Sequence, residues 1–240
     1  MSNAPALDVK LKHAFPGFHV DLALSLDRHI GVLFGPSGAG KSVTLRMIAG
    51  LIKPDGGRVC LGERCLFADG PDHVWVSPQR RRIGYVFQHH ALFPHMTVLE
   101  NIIYGARGVE RQKALSEARE LMRQFHLDGL ESSYPRNISG GQKQRVAFAR
   151  ALIGKPDLLL LDEPFSALDR PTRLHMRDCL GGVMQALEIP VLFVTHDLQE
   201  AAAIAARVFI CIGGSIHQQG TADEIIGAPS SDAVRQLIQH

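Results

Sequence analysis

The stretch HIGVLFGPSGAGKSVTLRMIAGL, residues 29–51, decides the fold. An apolar run typical of a strand leads into the glycine-rich segment GPSGAGKS, and a helical pattern follows it. The segment fits G-x-x-x-x-G-K-[ST], in which glycines let backbone N–H groups approach phosphate oxygens. In that pattern Lys41 reaches the β- and γ-phosphates, and the hydroxyl of Ser42 ligates Mg²⁺. We therefore predict that a nucleotide is bound by Gly35, Pro36, Ser37, Gly38, Ala39, Gly40, Lys41, Ser42 and Val43.

Three further apolar runs predict a parallel sheet: RIGYVF (82–87), DLLLLD (157–162) and PVLFVT (190–195). They alternate with longer helical patterns, which is typical of βαβ units, and their near-continuous apolar composition suits strands covered on both faces. Gln88 follows the first run, and His196 follows the last. Because parallel sheets bind ligands at the carboxyl ends of their strands, we expect these residues and the glycine-rich segment to share one edge.

The polar residues at the strand ends have distinct predicted roles. Asp162 suits Mg²⁺, and Glu163 points elsewhere and orients an attacking water. His196 is predicted to contact the γ-phosphate, and the amide of Gln88 to complete the shell of metal and water. Alone, an Asp-Glu pair is often only a turn and a histidine only a satisfied core or surface residue. The predicted catalytic residues are Glu163, His196, Lys41 and Gln88, and the predicted metal ligands are Ser42, Gln88 and Asp162.

A second candidate phosphate site is NISGGQKQRVAFARAL, residues 137–152. Ser139 is a good helix N-cap, and Gln142 stands three residues later, which is the spacing of a capping box. Gly140 and Gly141 leave backbone N–H groups uncovered at a helix end that attracts anions. We therefore predict anion binding by Ser139, Gly140, Gly141 and Gln142.

The chain reads as one domain, 1–240, with a helical insertion. We predict an α/β core over about 1–88 and 151–240, antiparallel strands over about 5–30, and a helical subdomain over about 89–150. Within the insertion, apolar residues recur at helical spacing and should face the core. They are Leu115, Ala118, Leu121, Met122 and Phe125.

Composition narrows the classes of protein. The 240 residues are 45% hydrophobic and 21% charged, with a net charge of +2, as in an ordinary globular protein. The charge balance gives no general argument for nucleic acid or an anionic membrane. No apolar stretch is long enough to span a membrane, and the N-terminus lacks a signal-peptide core, so we expect a cytosolic protein. The four cysteines form no C-x-x-C pair and are interpreted as unpaired thiols.

Taken together, the motifs resemble those of ABC-transporter ATPase subunits. Gly35–Ser42, Gln88, SGGQ (139–142), LLLLDEP (158–164), SALD (166–169) and His196 occur in that family's order and spacing. The resemblance covers nearly the whole chain. It implies a P-loop NTPase core of α/β class with a mixed or parallel sheet, an N-terminal antiparallel β region and the inserted helical subdomain. It also implies a Mg²⁺-dependent ATPase.

The same resemblance implies a homodimer. Family members pair head to tail, so the Gly35–Ser42 loop of one copy and the Ser139 helix of the other clamp each ATP. Asp169 would reach across this interface. An aromatic residue near the N-terminus usually stacks on adenine, for which Phe15 is the candidate and Phe18 the alternative, with core packing left open for both. Val43 stands where a threonine often adds a hydroxyl, so we expect slightly weaker phosphate binding.

A finer resemblance concerns residues 77–105, SPQRRRIGYVFQHHALFPHMTVLENIIYG, which are similar to ATPases of molybdate importers and, more loosely, of sulfate importers. It implies transmembrane permease subunits and a substrate-binding protein as partners, at the inner face of the cell membrane. The surface around Gln88 and 89–105 would receive a helix of the permease. Phe93 and Pro94 are candidate contacts, with a core role equally open. Many members add a C-terminal β domain, which we do not expect within residues 1–240.

Two other classes of protein fit the sequence less well. A DNA-repair or chromosome-organising ATPase of the same superfamily would carry long heptad arms or zinc modules, and the short insertion has neither. A GTP-dependent switch would carry an N-K-x-D pattern and would leave SGGQ unexplained. An ABC ATPase for a different importer substrate stays open. The predicted function is ATP-driven import of molybdate or a related oxyanion, without nucleic acid.

Overall fold

The structure is a computed structural model that describes residues 5–71, 73–106, 108–166, 173, 182 and 188–239. These residues form two compact units, Met1–Arg81 with Met184–His240, and Arg82–Val183. The second unit takes in strands as well as the helices predicted over 89–150. The predicted division into core and insertion therefore stays a prediction.

Eleven strands and seven α-helices lie within the described ranges, and none of these helices has the length and hydropathy needed to cross a bilayer. The strands are β1 Leu7–Phe15, β2 Phe18–Leu26, β3 Ile30–Phe34, β4 Gly56–Leu61, β5 Arg64–Ala68, β6 Val74–Trp75, β7 Ile83–Val86, β8 Leu158–Asp162, β9 Val191–Thr195, β10 Arg207–Ile212 and β11 Ser215–Gly220. The helices are α1 Lys41–Ala49, α2 Val98–Ile103, α3 Arg111–Gln124, α4 Gly140–Leu152, α5 Leu198–Ile204, α6 Ala222–Gly227 and α7 Asp232–Ile238.

The first unit contains the antiparallel sheet predicted at the N-terminus. Its strand order is β2-β1-β4-β5-β6. β1 buries Leu7, Val9 and Leu11, while alternate residues are less buried, so one face of the strand packs on the core. The prediction of antiparallel strands over about 5–30 is confirmed.

A second group of strands in the same unit is mainly parallel. β3 pairs in parallel with β9 on one side and with β10 on the other, and β11 adds an antiparallel edge. Every residue of β3 and β9 is buried, as their continuous apolar sequences predict. The register places Phe34 opposite Thr195, so the segments after β3 and β9 leave the sheet at the same end.

The second unit pairs β7 with β8 in parallel, with Val86 opposite Leu161. Its helices pack by their apolar sides, and the rings of Phe125 and Phe148 lie 6.5 Å apart. Of the predicted stripe on α3, Ala118, Met122 and Phe125 are buried. Leu115 and Leu121 are half-buried and flank that face. The mixed parallel and antiparallel α/β class predicted from the sequence is confirmed.

The interpretation of the cysteines was wrong for one pair. Cys60 and Cys65 form a disulfide between β4 and β5, where the register places them directly opposite each other. A hairpin that joins two cysteines in this way has no C-x-x-C signature, so the spacing alone did not reveal it. Cys211 is a buried free thiol, as expected, and Cys179 lies outside the described residues.

Candidate phosphate-binding and catalytic site

The loop between β3 and α1 follows a path that requires glycine. Gly38 and Gly40 have φ angles of 82° and 94°, which L side chains rarely adopt. A Cβ on Gly35 would lie 2.0 Å from the carbonyl oxygen of Cys211. The loop is also anchored, since the Gly214 N–H and the Cys211 thiol both donate to the Ala39 carbonyl, at 3.1 and 3.2 Å. The pattern G-x-x-x-x-G-K-S therefore forms a tight backbone turn before a helix.

Lys41, the charged residue of this loop, is the first residue of α1. The N-cap of this helix is Gly40, which makes no side-chain cap, so the N–H groups of the first turn face the loop without a capping hydroxyl. Lys41 is only 5% exposed, and its ammonium donates to the carbonyls of Gly35 and Pro36 at 2.8 and 2.9 Å. The arrangement holds a positive charge beside uncovered N–H groups, which suits a phosphate group.

Val43 lacks the hydroxyl that a threonine at this position would supply, and its neighbours Ser42 and Thr44 each carry one. Ser42 and Val43 are both half-buried on the first turn of α1. The next hydroxyl, on Thr44, donates to the Gly40 carbonyl at 2.9 Å and is fully buried. The Thr44 hydroxyl therefore stabilises the loop backbone and does not replace the hydroxyl that a threonine at position 43 would supply.

Two aromatic rings lie at the turn between β1 and β2. Phe15 and Phe18 stack with centroids 6.4 Å apart, and His13 packs edge-on against Phe15 at 4.2 Å. Phe18 packs against the loop, because a Cβ on Gly40 would lie 2.8 Å from its ring. This contact gives Phe18 a packing role and leaves Phe15 as the candidate for adenine.

His196 leaves β9 at the end of the sheet where the loop leaves β3. The residues on either side fix its backbone. Thr195 donates to the buried carboxylate of Glu200 at 2.6 Å, and Asp197 caps α5 by accepting from the Gln199 and Glu200 N–H groups. His196 itself is exposed. Its predicted meeting with Gly35–Ser42 at one edge is supported by the β3–β9 register.

In the second unit, the ends of β7 and β8 bring three predicted site residues together. The amide of Gln88 donates to the Glu163 carboxylate at 3.2 Å. Asp162 is 3% exposed and accepts a hydrogen bond from the hydroxyl of Tyr85 at 3.1 Å. Asp162 and Glu163 are adjacent in sequence but have different partners, as the prediction of separate roles requires.

The backbone at Glu163 is in the left-handed region, with φ at 44°. Such a conformation costs a non-glycine residue about 1–2 kcal/mol and persists only where the surroundings hold it. Both the N–H and the hydroxyl of Ser166 donate to the Glu163 carbonyl, at 3.2 and 2.9 Å. In this conformation the Glu163 carboxylate accepts the hydrogen bond from the Gln88 amide.

The helix α4 begins as predicted. The Ser139 hydroxyl accepts from the Gln142 N–H at 3.2 Å, and the Gln142 side chain accepts from the Ser139 N–H at 2.8 Å. The predicted capping box is therefore confirmed. Ser139 and Gly140 are exposed, so this end of the helix faces outward. Asp169, the remaining predicted interface residue, lies outside the described residues.

Sequence reasoning missed Tyr85 and the turn that holds the loop. Tyr85 is a hydroxyl-bearing residue within an apolar strand, and its register opposite Leu160 places it beside the end of β8. Once β7 is known to pair with β8, the sequence predicts that Tyr85 lies near the end of β8. The contacts of Cys211 and Gly214 with Ala39 join residues far apart in the chain, and no local pattern predicts them.

A strand, a glycine-rich anion loop and a helix that begins with lysine define the class of P-loop nucleotide-binding domains. Comparison with known proteins identifies the family within this class, because residues 19–166 match the family described as "ABC transporter". The chain belongs to the ABC transporter family, and the predicted resemblance to an importer ATPase is confirmed.

Similar proteins include ATP-binding proteins that are named for the import of different anions. The chain is 46% identical over 231 residues to the sulfate/thiosulfate import ATP-binding protein CysA 2 of Agrobacterium fabrum, covering 93% of this chain and 66% of that protein. It is 41% identical over 231 residues to the molybdate/tungstate import ATP-binding protein WtpC of Archaeoglobus fulgidus, covering 96% and 93%. The chain spans slightly less than two thirds of the sulfate relative and nearly all of the molybdate relative.

Proposed function

We propose that the chain hydrolyses ATP as a head-to-tail homodimer and thereby drives import through permease subunits. The observation that carries hydrolysis is the hydrogen bond between Gln88 and Glu163. It holds a carboxylate, on a strained backbone, directly after the buried Asp162. A carboxylate fixed in this way is suited to orient a water and accept its proton.

The residues present fit ATP and Mg²⁺. The loop Gly35–Ser42 is too narrow for a side chain at Gly35, and a bare helix end and Lys41 face it, which suits polyphosphate. Ser42 in the first unit, and Asp162 and Gln88 in the second, each carry a hard oxygen donor of the kind that Mg²⁺ prefers. When bound, Mg²⁺ neutralises charge on the phosphate oxygens. Phe15 would stack on the adenine.

In the proposed reaction, each side chain acts on one part of the transferring phosphoryl group. Glu163 orients a water in line with the γ-phosphate, and Gln88 keeps the carboxylate in place. Lys41 and His196 of one copy donate to the phosphoryl oxygens. The Gly140 and Gly141 N–H groups of the second copy, which the capping box does not use, complete the positive surroundings at a helix end that attracts anions. Asp169 would lie at the same interface.

The proposed docking surface for the permease follows Gln88. The ring of Phe93 packs at a tilt of 57° against the exposed Tyr104, with centroids 4.5 Å apart. The buried side chain of Asn101 fixes this segment by accepting from the Phe93 N–H and donating to the carbonyls of Phe93, Met96 and Thr97. A rigid aromatic surface suits an amphipathic partner helix. Pro94 is exposed beside it. Docking there would place the chain at the inner face of the membrane.

For the transported substrate we propose a tetrahedral oxyanion, sulfate or molybdate. The names of the relatives support this class, and sulfate/thiosulfate importers occur among them at least as prominently as molybdate importers. The test of this substrate class is the uptake of labelled sulfate and molybdate by cells with and without this chain. Unchanged uptake of both anions would contradict the oxyanion proposal and leave the ATPase proposal standing.

The ATPase proposal is tested by Glu163→Gln. The amide retains the shape of the side chain but cannot accept a proton, so turnover should fall by about 10²–10⁴-fold. ATP binding should persist, and the variant should accumulate as a dimer at high ATP, measured by size-exclusion chromatography with light scattering. Glu120→Gln, at an exposed position on α3, is the matched control and should leave turnover unchanged. Near wild-type hydrolysis by Glu163→Gln would refute the assignment.

A further inference from the structure

The segment that follows Gln88 is held in a strained conformation. His90 and Ala91 are consecutive non-glycine residues in the left-handed region, with φ angles of 60° and 47°. L-residues adopt this region rarely and at a cost, and two in succession require external support. The tight path is visible in the hydrogen bonds from the His90 N–H to the Phe87 carbonyl and from the Ala91 N–H to the His89 carbonyl.

The support comes from Arg150, near the C-terminal end of α4. Its guanidinium donates from Nη1 to the Ala91 carbonyl and from Nη2 to the His90 carbonyl, both at 2.7 Å. The group also lies 5.6 Å above the centre of the Phe93 ring. Burial lowers the pKa of Arg150 from its usual value, so the charge is partly withdrawn from water and depends on these partners.

α4 carries the Ser139 capping box at one end and the Arg150 contacts with His90 and Ala91 towards the other. Gln88, which stands two residues before His90, donates to the Glu163 carboxylate.

We propose that Arg150 is a positioning residue for hydrolysis, which holds residues 90–91 in their left-handed conformation and so keeps the Gln88 amide on the Glu163 carboxylate. The proposal rests on the proposed function, because it assigns Glu163 the role of orienting water. The two parallel donors of a guanidinium fit two successive carbonyls, whereas an ammonium is a single point donor.

The first test compares Arg150→Lys with wild type. The charge is kept and the paired hydrogen bonds are lost, so kcat should fall by about 10–100-fold, as expected for a misplaced catalytic group. The KM for ATP should stay within about twofold, because the residues of Gly35–Ser42 are unchanged. Arg123→Lys, at an exposed position on α3, is the matched control and should change neither constant. Thermal unfolding of each variant shows whether the fold is intact.

A rescue experiment separates positioning from general stability. Ala91→Gly removes the steric penalty at φ 47°, so the double variant with Arg150→Lys should recover at least about threefold in kcat. His126→Gly is the control, since His126 is also left-handed, at φ 50°, but follows α3. It should raise the melting temperature without restoring kcat.

Wild-type kcat in a folded Arg150→Lys variant would overturn the proposal. Equal rescue by His126→Gly would also overturn it, because the loss would then be one of stability alone. Neither result touches the ATPase proposal, which fails only if wild-type protein does not turn over ATP or if Glu163→Gln does so at the wild-type rate.

Discussion

At the residue scale, Cys211 shows how the phosphate loop is fixed by groups outside its motif. The carbonyl of Cys211 excludes any side chain at Gly35, and its thiol donates to Ala39. Burial raises the pKa of this thiol to about 11, so the thiolate that reacts with alkylating reagents is nearly absent at neutral pH.

The raised pKa predicts that Cys211 resists alkylation in the folded protein. At pH 8, iodoacetamide should modify Cys211 at least about tenfold more slowly in native protein than in urea, where its pKa returns to the ordinary range. The rate should rise as pH approaches 11, because the folded-state pKa is above the unfolded value. Peptide mass spectrometry measures this site separately from other thiols. Equal rates in the native and unfolded states would contradict the buried position.

Single residues differ in how far the sequence reveals them. Lys41, Asp162 and Glu163 stand in patterns whose spacing is set by a turn or a strand end, so local sequence identifies them. Arg150 and Tyr85 act through partners about 60 and 77 positions away, and an arginine on a helix has no local signature of such a contact. Their roles follow only from the folded chain.

At the element scale, strands with both faces covered were the most predictable parts of the chain. β3, β8 and β9 are buried throughout and coincide with their apolar runs to within one residue at each end, because complete burial leaves little room for polar residues. β7, in which alternate residues are half-buried, matches its run equally closely. The strands β4, β5 and β6 are more exposed, with only Val59, Leu66 and Phe67 buried, and the sequence did not indicate them. The pairing of Cys60 with Cys65 was missed with them.

The helix α1 depends on an arginine at its C-terminal end. Arg81 is fully buried and donates to the carbonyls of Met47, Ile48 and Val76, at 3.2, 2.6 and 2.8 Å. Its charge complements the negative end of the helix dipole, and Gly50 leaves room for its guanidinium. Desolvation lowers its pKa to about 10, so it stays protonated at neutral pH.

Arg81→Leu should therefore lower the free energy of unfolding by about 2–4 kcal/mol, because the buried carbonyls of Met47 and Ile48 and the part-buried carbonyl of Val76 lose their charged donor. Arg80→Leu is the matched control, since Arg80 is exposed and adjacent, and it should change stability by less than about 0.5 kcal/mol. Urea unfolding followed by circular dichroism gives both values. Similar stability for the two variants would contradict the role given to Arg81.

At the scale of the whole molecule, the chain carries two helix ends that are candidates for anion binding. One is the loop before α1, with its buried lysine, and the other is the exposed, capped start of α4. An exposed helix end with Ser139 and Gly140 uncovered suits an anion that arrives from another molecule. A homodimer with composite sites gives both ends a ligand, and a self-complementary pair is the commonest oligomer.

Mixed dimers test this arrangement directly. Lys41→Ala and Ser139→Arg should each abolish turnover when alone, because every composite site then contains one altered element. In a mixture, one site of each mixed dimer pairs an intact loop with an intact α4, so an equimolar mixture should recover about a quarter of the wild-type rate under random exchange. Steady-state phosphate release measures it, with each parent at the same total concentration as control. If each site were complete within one chain, mixing would restore nothing, since both chains carry a defect. Activity no higher than that of either parent would therefore refute shared sites while leaving ATP binding by the loop intact.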